Sequence, residues 1–68
     1  MREILDQLVA DMVDKGIRYD EAQREFEKRF ISRVVQKAHG NLSRAADTLG
    51  MHRNTLTRKI KDLRIRPR

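Results

Sequence analysis

The chain has no cysteine, and its two histidines, His39 and His52, have no carboxylate at the spacing of a metal-binding motif. The absence of cysteine excludes a disulfide, a thiolate metal site and a cysteine nucleophile. A Ser-His-Asp set and a phosphate-binding loop are missing as well. We therefore expect no enzymatic activity, no metal, no cofactor and no small-molecule substrate.

Long apolar runs and strand-forming patterns are also scarce. No segment approaches the roughly 20 apolar residues of a membrane span. Glu3, Asp6 and Asp11 lie where a signal peptide would be basic and then apolar, so we expect a soluble, cytoplasmic protein without a membrane partner. Aromatic residues make up only 4% of the chain, which disfavours strands. Because the apolar spacing is helical throughout, the expected fold class is all-α.

Positive charge is concentrated at the C-terminal end of the 68-residue chain, whose formal net charge is +6. Residues 1–39 contain eight basic and eight acidic side chains, whereas residues 40–68 contain eight basic and only two acidic ones, Asp47 and Asp62. Such a one-sided excess favours a polyanionic partner. A solvated basic tail is the alternative interpretation.

The apolar periodicity predicts two long helices in residues 1–39. The first spans about 2–15 and stops at Gly16; the second begins near Asp20, which forms a capping-box pattern with Gln23, and stops at Gly40. The apolar stripe of the first helix is Ile4, Leu5, Leu8, Val9, Met12 and Val13. That of the second is Ala22, Phe26, Phe30 or Ile31, Val34, Val35 and Ala38.

Two shorter helices follow, separated by a tight turn. The third begins after an N-cap at Asn41 and ends at Gly50; the fourth spans Arg53 to about Leu63. A steep crossing needs a small residue, which Ala46 provides, and Gly50 tolerates the positive φ of the turn. The predicted buried residues are Leu42, Ala45, Ala46, Leu49, Leu56, Ile60 and Leu63. This pattern is typical of a helix-turn-helix. Since Pro67 disfavours helix at the preceding residue, we expect order to fade after Arg64.

The outward face of the fourth helix favours DNA over an inert surface. Arg bonds guanine bidentately, Asn suits adenine, and a Thr methyl contacts thymine. Arg53, Asn54, Thr55, Thr57, Arg58 and Lys61 are the candidates on this helix. At the start of the third helix, Asn41, Ser43 and Arg44 are candidates to bind a backbone phosphate. For Asn41 and Ser43 the alternative is that they only cap the helix. His52 is a turn filler or a further DNA contact. RNA is disfavoured, because aromatic stacking platforms are missing beside the basic face.

The string from Gly40 to Ala46, followed by Leu49-Gly50, Arg53-Asn54-Thr55-Leu56 and Lys59-Ile60, resembles the Fis-type helix-turn-helix family. That family includes the bacterial nucleoid protein Fis and the C-terminal domains of NtrC-type activators. The resemblance implies a homodimer with a four-helix core, two helix-turn-helix units in successive major grooves, and bent DNA. It also implies DNA contacts at Asn41, Ser43, Arg44, His52, Arg53, Thr55, Arg58, Lys59 and Lys61. His52 and Thr57 depart from the more usual residues, and Asp62 interrupts the basic end of the fourth helix.

The apolar stripe of the first helix also predicts a dimer. Burying each of its six large side chains is worth roughly 1.5–3 kcal/mol. The second helix cannot cover both this stripe and the apolar face of the helix-turn-helix. We therefore expect a single domain with dimerisation helices in 1–39, a helix-turn-helix in 40–64 and a basic tail in 65–68. It would be a nucleoid-associated, dimeric regulator or DNA-bending factor that binds double-stranded DNA. The alternatives are a helical dimerisation module with a basic tail and the DNA-binding piece of a larger NtrC-type activator.

Overall fold

The computed structural model describes residues 1–66 and consists there of four α-helices without a strand. These are α1 (Arg2–Asp14), α2 (Tyr19–Lys37), α3 (Leu42–Leu49) and α4 (Arg53–Asp62). The predicted all-α class and the order of two longer helices before two short ones are confirmed. No helix within residues 1–66 combines the length and apolar character needed to cross a membrane.

The hydrophobic core lies among α2, α3 and α4. Its buried side chains are Ile31, Val35, Ala38, Ala45, Ala46, Leu56, Leu63 and Ile65. Val34, Leu42, Leu49, Met51 and Ile60 are half-buried against it. The predicted interior of the third and fourth helices is thus confirmed, with Leu56 fully buried (0% exposed) between them.

The apolar stripe of α2 divides into two faces. Ile31 and Val35 enter the core, whereas Phe26 and Phe30 remain 58% and 52% exposed. Since adjacent helical residues lie 100° apart, Phe30 and Ile31 point in different directions. The structure therefore decides between the two alternatives for the core: Ile31 occupies it, and Phe30 belongs to another surface.

The first helix, α1, has no buried residue. It is joined to α2 through a turn in which Gly16 adopts φ +74° and Ile17 N–H donates to Met12 C=O at 3.1 Å. The predicted glycine stop is confirmed. Its apolar stripe faces solvent in the single chain, apart from half-buried Met12.

The turn between α3 and α4 has the predicted geometry. Gly50 adopts φ +72°, a left-handed conformation that glycine reaches without a steric penalty. Met51 N–H donates to Ala46 C=O at 3.0 Å, closing the end of α3. Ala46 is itself buried at the crossing, so the residues that defined the helix-turn-helix in the sequence have the expected roles.

Two helix ends differ in how well they were predicted. At α3, the side chain of Asn41 accepts a hydrogen bond from Arg44 N–H at 3.1 Å, as expected for an N-cap. At α2, the prediction of Asp20 and Gln23 is wrong by two residues, because the N-cap is Arg18. Glu21 accepts a hydrogen bond from Arg18 N–H at 3.0 Å. The reciprocal bond of a full capping box is chemically excluded, because an arginine side chain has no acceptor.

The chain remains ordered beyond α4. Arg64 adopts φ +56°, Ile65 N–H donates to Ile60 C=O at 2.9 Å, and Ile65 is only 7% exposed. The expectation that order fades after Arg64 is therefore wrong at Ile65, which packs into the core. Pro67 and Arg68, the end of the predicted basic tail, lie outside the described residues.

Candidate nucleic-acid interface

The outward face of α4 carries the candidate DNA-reading side chains. Arg53, Asn54, Thr57, Arg58 and Lys61 are exposed, and Thr55 is half-buried. The helix is anchored by Leu56 on its opposite side. Polar side chains of the types that can donate to base edges and phosphates thus lie together on the exposed surface of α4.

One of these side chains is already engaged within the helix. The hydroxyl of Thr57 donates to Arg53 C=O at 3.0 Å, so its donor proton points to the backbone of α4. The methyl group of Thr57 is the part of this side chain that remains suited to a thymine contact.

The turn before α4 gives His52 a definite local role. Its Nδ1 accepts a hydrogen bond from Asn54 N–H at 3.1 Å, which makes it the N-cap of α4. When Nδ1 accepts this hydrogen bond, Nε2 is the ring nitrogen that can donate. His52 is therefore more than a turn filler: it closes the end of α4 that precedes Arg53 and presents an N–H donor.

Removing this cap is expected to destabilise the domain. Changing His52 to Ala leaves the Asn54 N–H without its acceptor and should lower the free energy of unfolding by about 0.5–2 kcal/mol. His52→Asn is the matched control, because asparagine is a strong N-cap and should retain the stability of the wild type. Chemical unfolding followed by circular dichroism measures both, and equal stability of the alanine and wild-type chains would contradict the capping role.

The N-terminal end of α3 forms the second part of the candidate interface. Ser43 and Arg44 are exposed in its first turn, while Asn41 caps it through its side-chain oxygen. The capping alternative for Asn41 is thus observed, and it leaves the amide nitrogen available as a donor. The backbone C=O of Arg44 accepts a hydrogen bond from Thr48 Oγ1 at 3.1 Å. The side chain of Arg44 is exposed.

The predicted basic surface is present in the structure. Between residues 40 and 66, the exposed cationic side chains are Arg44, Arg53, Arg58, Lys61, Arg64 and Arg66. Asp47 and Asp62 are the acidic residues of the same segment. In the part of the chain that the structure describes, no three histidine or carboxylate side chains lie close enough together to hold a metal.

Lys59 differs from the other candidates because its ammonium group faces α2. Its Nζ lies 2.8 Å from Glu27 Oε2, and its side chain is 38% exposed. Arg24 of α2 also contacts this end of the helix, donating from Nη2 to Asp62 C=O at 2.7 Å. Sequence reasoning missed Arg24 and Glu27. No local sequence signal identifies Arg24, because it contacts the backbone carbonyl group of Asp62.

A separate apolar groove lies between α1 and α2 on the remaining surface. It is lined by Leu5, Leu8, Val9 and Met12 of α1 and by Ala22, Phe26 and Phe30 of α2, with Glu25, Arg29 and Arg33 at its edge. The two phenylalanine rings are 5.5 Å apart between centroids. Of the six predicted interface residues, four line this groove, whereas Ile4 and Val13 lie outside its lining and are 75% and 68% exposed.

Comparison with known proteins assigns the chain to a family. The sequence pattern of "Bacterial regulatory protein, Fis family" matches residues 22–63, more than half of the chain. The NtrC DNA-binding transcriptional regulator of Azospirillum brasilense is 47% identical over 47 residues, covering 69% of this chain and 10% of the relative. That of Escherichia coli K12 is 37% identical over 62 residues, covering 82% and 13%.

A shorter relative is covered more fully. The putative Fis-like DNA-binding protein of Xylella fastidiosa is 40% identical over 52 residues, which make up 76% of this chain and 58% of the relative. The chain thus spans little more than a tenth of the two NtrC regulators and over half of this protein. No solved structure matches the chain. The match to the family pattern, over the residues that form α2, α3 and α4, shows that the chain belongs to the Fis family of bacterial regulatory proteins.

Proposed function

We propose that this chain is a DNA-binding unit of a bacterial regulator and that it inserts α4 into the major groove of double-stranded DNA. The observation that carries the proposal is the outward face of α4, where Asn54, Arg58 and Lys61 are exposed on the side opposite the buried Leu56. Arg53 is exposed in the first turn of the same helix. An α-helix with its polar face free fits the major groove, where base edges present distinct donors and acceptors. The relatives named as DNA-binding proteins support the same conclusion.

The contacts divide into those that read bases and those that hold the backbone. Arg53, Asn54 and Thr55 lie at the N-terminal end of α4, which approaches base edges in a helix-turn-helix, and Arg58 follows one turn later. Ser43, Arg44 and Lys61 flank this face and suit phosphate oxygens. The remaining predicted contacts are Asn41, His52, Thr57 and Lys59, each of which also makes an internal hydrogen bond.

The second part of the proposal is a homodimer formed through the α1–α2 groove. The large side chains of α1 and the two phenylalanines of α2 are at least 45% exposed, apart from half-buried Met12. Burial of each is worth roughly 1.5–3 kcal/mol, and a two-fold axis would cover both copies of the surface at once. The interface would include Ile4, Leu5, Leu8, Val9, Met12, Val13, Phe26 and Phe30. A dimer would then place two α4 helices on one DNA duplex. In the cell, this duplex would be the DNA of the nucleoid.

A salt titration of duplex binding tests this proposal. The probe is a duplex of roughly two to three helical turns, compared with single-stranded DNA and RNA of the same length, and the stoichiometry is measured together with the affinity. We expect two chains per duplex and a preference for the duplex. The plot of log K against log salt should steepen by about 0.9 for each phosphate neutralised.

Two arginine variants test the base-reading part of the proposal. Arg53→Ala and Arg58→Ala should each weaken duplex binding by about 1–3 kcal/mol per lost base contact. Lys28→Ala is the matched control, because it removes one exposed charge from α2 without touching α4. Weak and equal binding to all three nucleic acids would overturn the proposal and favour a protein-interaction module with a basic tail.

A further inference from the structure

Two polar contacts join the first half of α2 to the last turn of α4. Arg24 Nη2 donates to Asp62 C=O at 2.7 Å, and Lys59 Nζ pairs with Glu27 Oε2 at 2.8 Å. We infer that Arg24 and Glu27 are positioning residues that set the orientation of the DNA-reading helix, and that Lys59 serves this contact instead of a DNA phosphate. The inference rests on the proposed DNA binding of α4 but makes a claim that can also be tested without DNA.

The spacing of the contacts supports a positioning role. Arg24 and Glu27 are three residues apart on α2, so their side chains lie on one side of that helix. Glu27 contacts the ammonium group of Lys59, and Arg24 contacts the backbone carbonyl group of Asp62, at the end of α4. The two contacts are antiparallel: the earlier residue of α2, Arg24, contacts the later residue of α4, and the later residue of α2, Glu27, contacts the earlier one. Two contacts separated along a helix hinder its rotation and tilt, whereas a single contact would act as a pivot.

Apolar packing holds α4 at its middle and just beyond its end. Leu56 is the one residue of α4 that is buried, Ile60 is half-buried, and Leu63, which follows the helix, is buried as well. Hydrophobic contacts are non-directional, so they hold this side of α4 against the core without setting the direction of its polar groups. The hydrogen bond and the ion pair supply the direction that this packing lacks.

The contact of Arg24 also suits the electrostatics of a helix end. The last carbonyl groups of an α-helix have no partner within the helix and carry partial negative charge. A guanidinium group donating to Asp62 C=O satisfies one of these groups and places positive charge beside it. The bond uses the backbone of residue 62, so it does not depend on the Asp62 carboxylate.

The environment of Lys59 distinguishes it from Lys61. The ammonium group of Lys59 is neutralised by Glu27, whereas Lys61 is exposed on the outward face. A lysine paired within the protein releases little of the counterion atmosphere of DNA, because its charge is already compensated. Lys59 should therefore contribute little to the salt dependence of binding, and Lys61 should contribute fully.

The first test compares the salt dependence of two lysine variants on the same duplex of about three helical turns. Lys61→Met should lower the slope of log K against log salt by about 0.9 per chain, whereas Lys59→Met should leave the slope at the wild-type value. A slope reduced equally by both substitutions would overturn the inference, because it would place Lys59 on a phosphate. If the wild type itself shows no salt-dependent duplex binding, the proposed function fails, and the second test decides the inference.

The second test measures the Glu27–Lys59 contact in the free protein. Glu27→Gln and Lys59→Met should each lower the midpoint of thermal unfolding by about 4 °C, and the double variant should fall no further than either single variant. Glu25→Gln is the matched control: it removes the same charge from α2 and breaks the exposed pair with Arg29 on that helix, and it leaves the contacts to α4 in place. Additive shifts, or equal shifts for Glu25→Gln and Glu27→Gln, would overturn the inference.

A third measurement separates positioning from mere stability. A preferred duplex is selected from a random pool with the wild-type chain, and its affinity is compared with that of a scrambled duplex. Glu27→Gln and Arg24→Met should reduce this ratio by about fivefold at a temperature where both variants are folded, since a misoriented helix loses base contacts before phosphate contacts. Lys59→Arg, which retains the ion pair, should preserve the ratio. An unchanged ratio in both α2 variants would assign the contacts a structural role alone.

Discussion

A chain carrying Leu8→Glu is expected to be monomeric and to bind duplex DNA at least about a hundredfold more weakly than the wild type. Leu8 lies in the middle of α1, lines the α1–α2 groove and is 51% exposed in the single chain. A carboxylate at this position would be buried without a partner in the dimer, which costs several kcal/mol. In the free monomer it remains hydrated, so the substitution acts on association.

Loss of DNA affinity follows because the two DNA-binding surfaces then act separately. When two linked units bind one duplex, the second binding event is intramolecular, and its effective concentration raises the overall affinity by about 10²–10⁴. Analytical ultracentrifugation gives the mass, and a titration of labelled duplex gives the affinity. Ala10→Glu is the matched control, because Ala10 is exposed and lies 200° around α1 from Leu8. A Leu8→Glu chain that stays monomeric yet binds with wild-type affinity would refute the dimeric mode of binding.

Replacing Leu56 by alanine is expected to destabilise the domain by about 2–5 kcal/mol. Leu56 is 0% exposed and is the largest fully buried side chain together with Val35. Its loss would leave a cavity between α3 and α4 that the two buried alanines of α3 are too small to fill. Because native proteins have stabilities of only about 5–15 kcal/mol, this loss is a large fraction of the total, and the Leu56→Ala chain should unfold at a clearly lower temperature and urea concentration.

Urea unfolding followed by circular dichroism measures the effect of Leu56→Ala. Leu42→Ala removes the same atoms from a half-buried position of α3 and should cost clearly less. DNA affinity should recover in the Leu56→Ala chain at low temperature, since the outward face of α4 is unchanged by the substitution. A Leu56→Ala chain as stable as the wild type would contradict the central position of this side chain in the core.

Much of the candidate site follows from local rules. The spacing of Ala46, Gly50 and Leu56 predicted a helix-turn-helix, and each residue has the expected burial or backbone conformation. Such residues are informative because each meets a requirement that few side chains fulfil: small size, positive φ or an apolar plug. The outward face of α4 follows from the same geometry, since burial of Leu56 determines which residues point away.

The predictions failed at two element boundaries. Asp20 is a residue type that favours the N-cap position, yet α2 begins after Arg18, where Glu21 accepts the backbone bond. Ile65 follows the predicted end of the last helix and lies two residues before Pro67, yet it packs into the core. The first boundary involves a local contact between residues 18 and 21, whereas the second depends on packing of Ile65 into the core.

The sequence by itself determined the number and order of the helices, the turn at Gly50, the interior of the helix-turn-helix and the side of α4 that faces outward. Those features depend on the 3.6-residue period and on residues with unusual backbone or size requirements, which act locally. Tertiary structure alone decided that α2 has two apolar faces, with Ile31 in the core and Phe30 in the groove. It also decided that Lys59 contacts Glu27. These residues are 32 positions apart in the chain, so their pairing depends on how α2 and α4 approach each other.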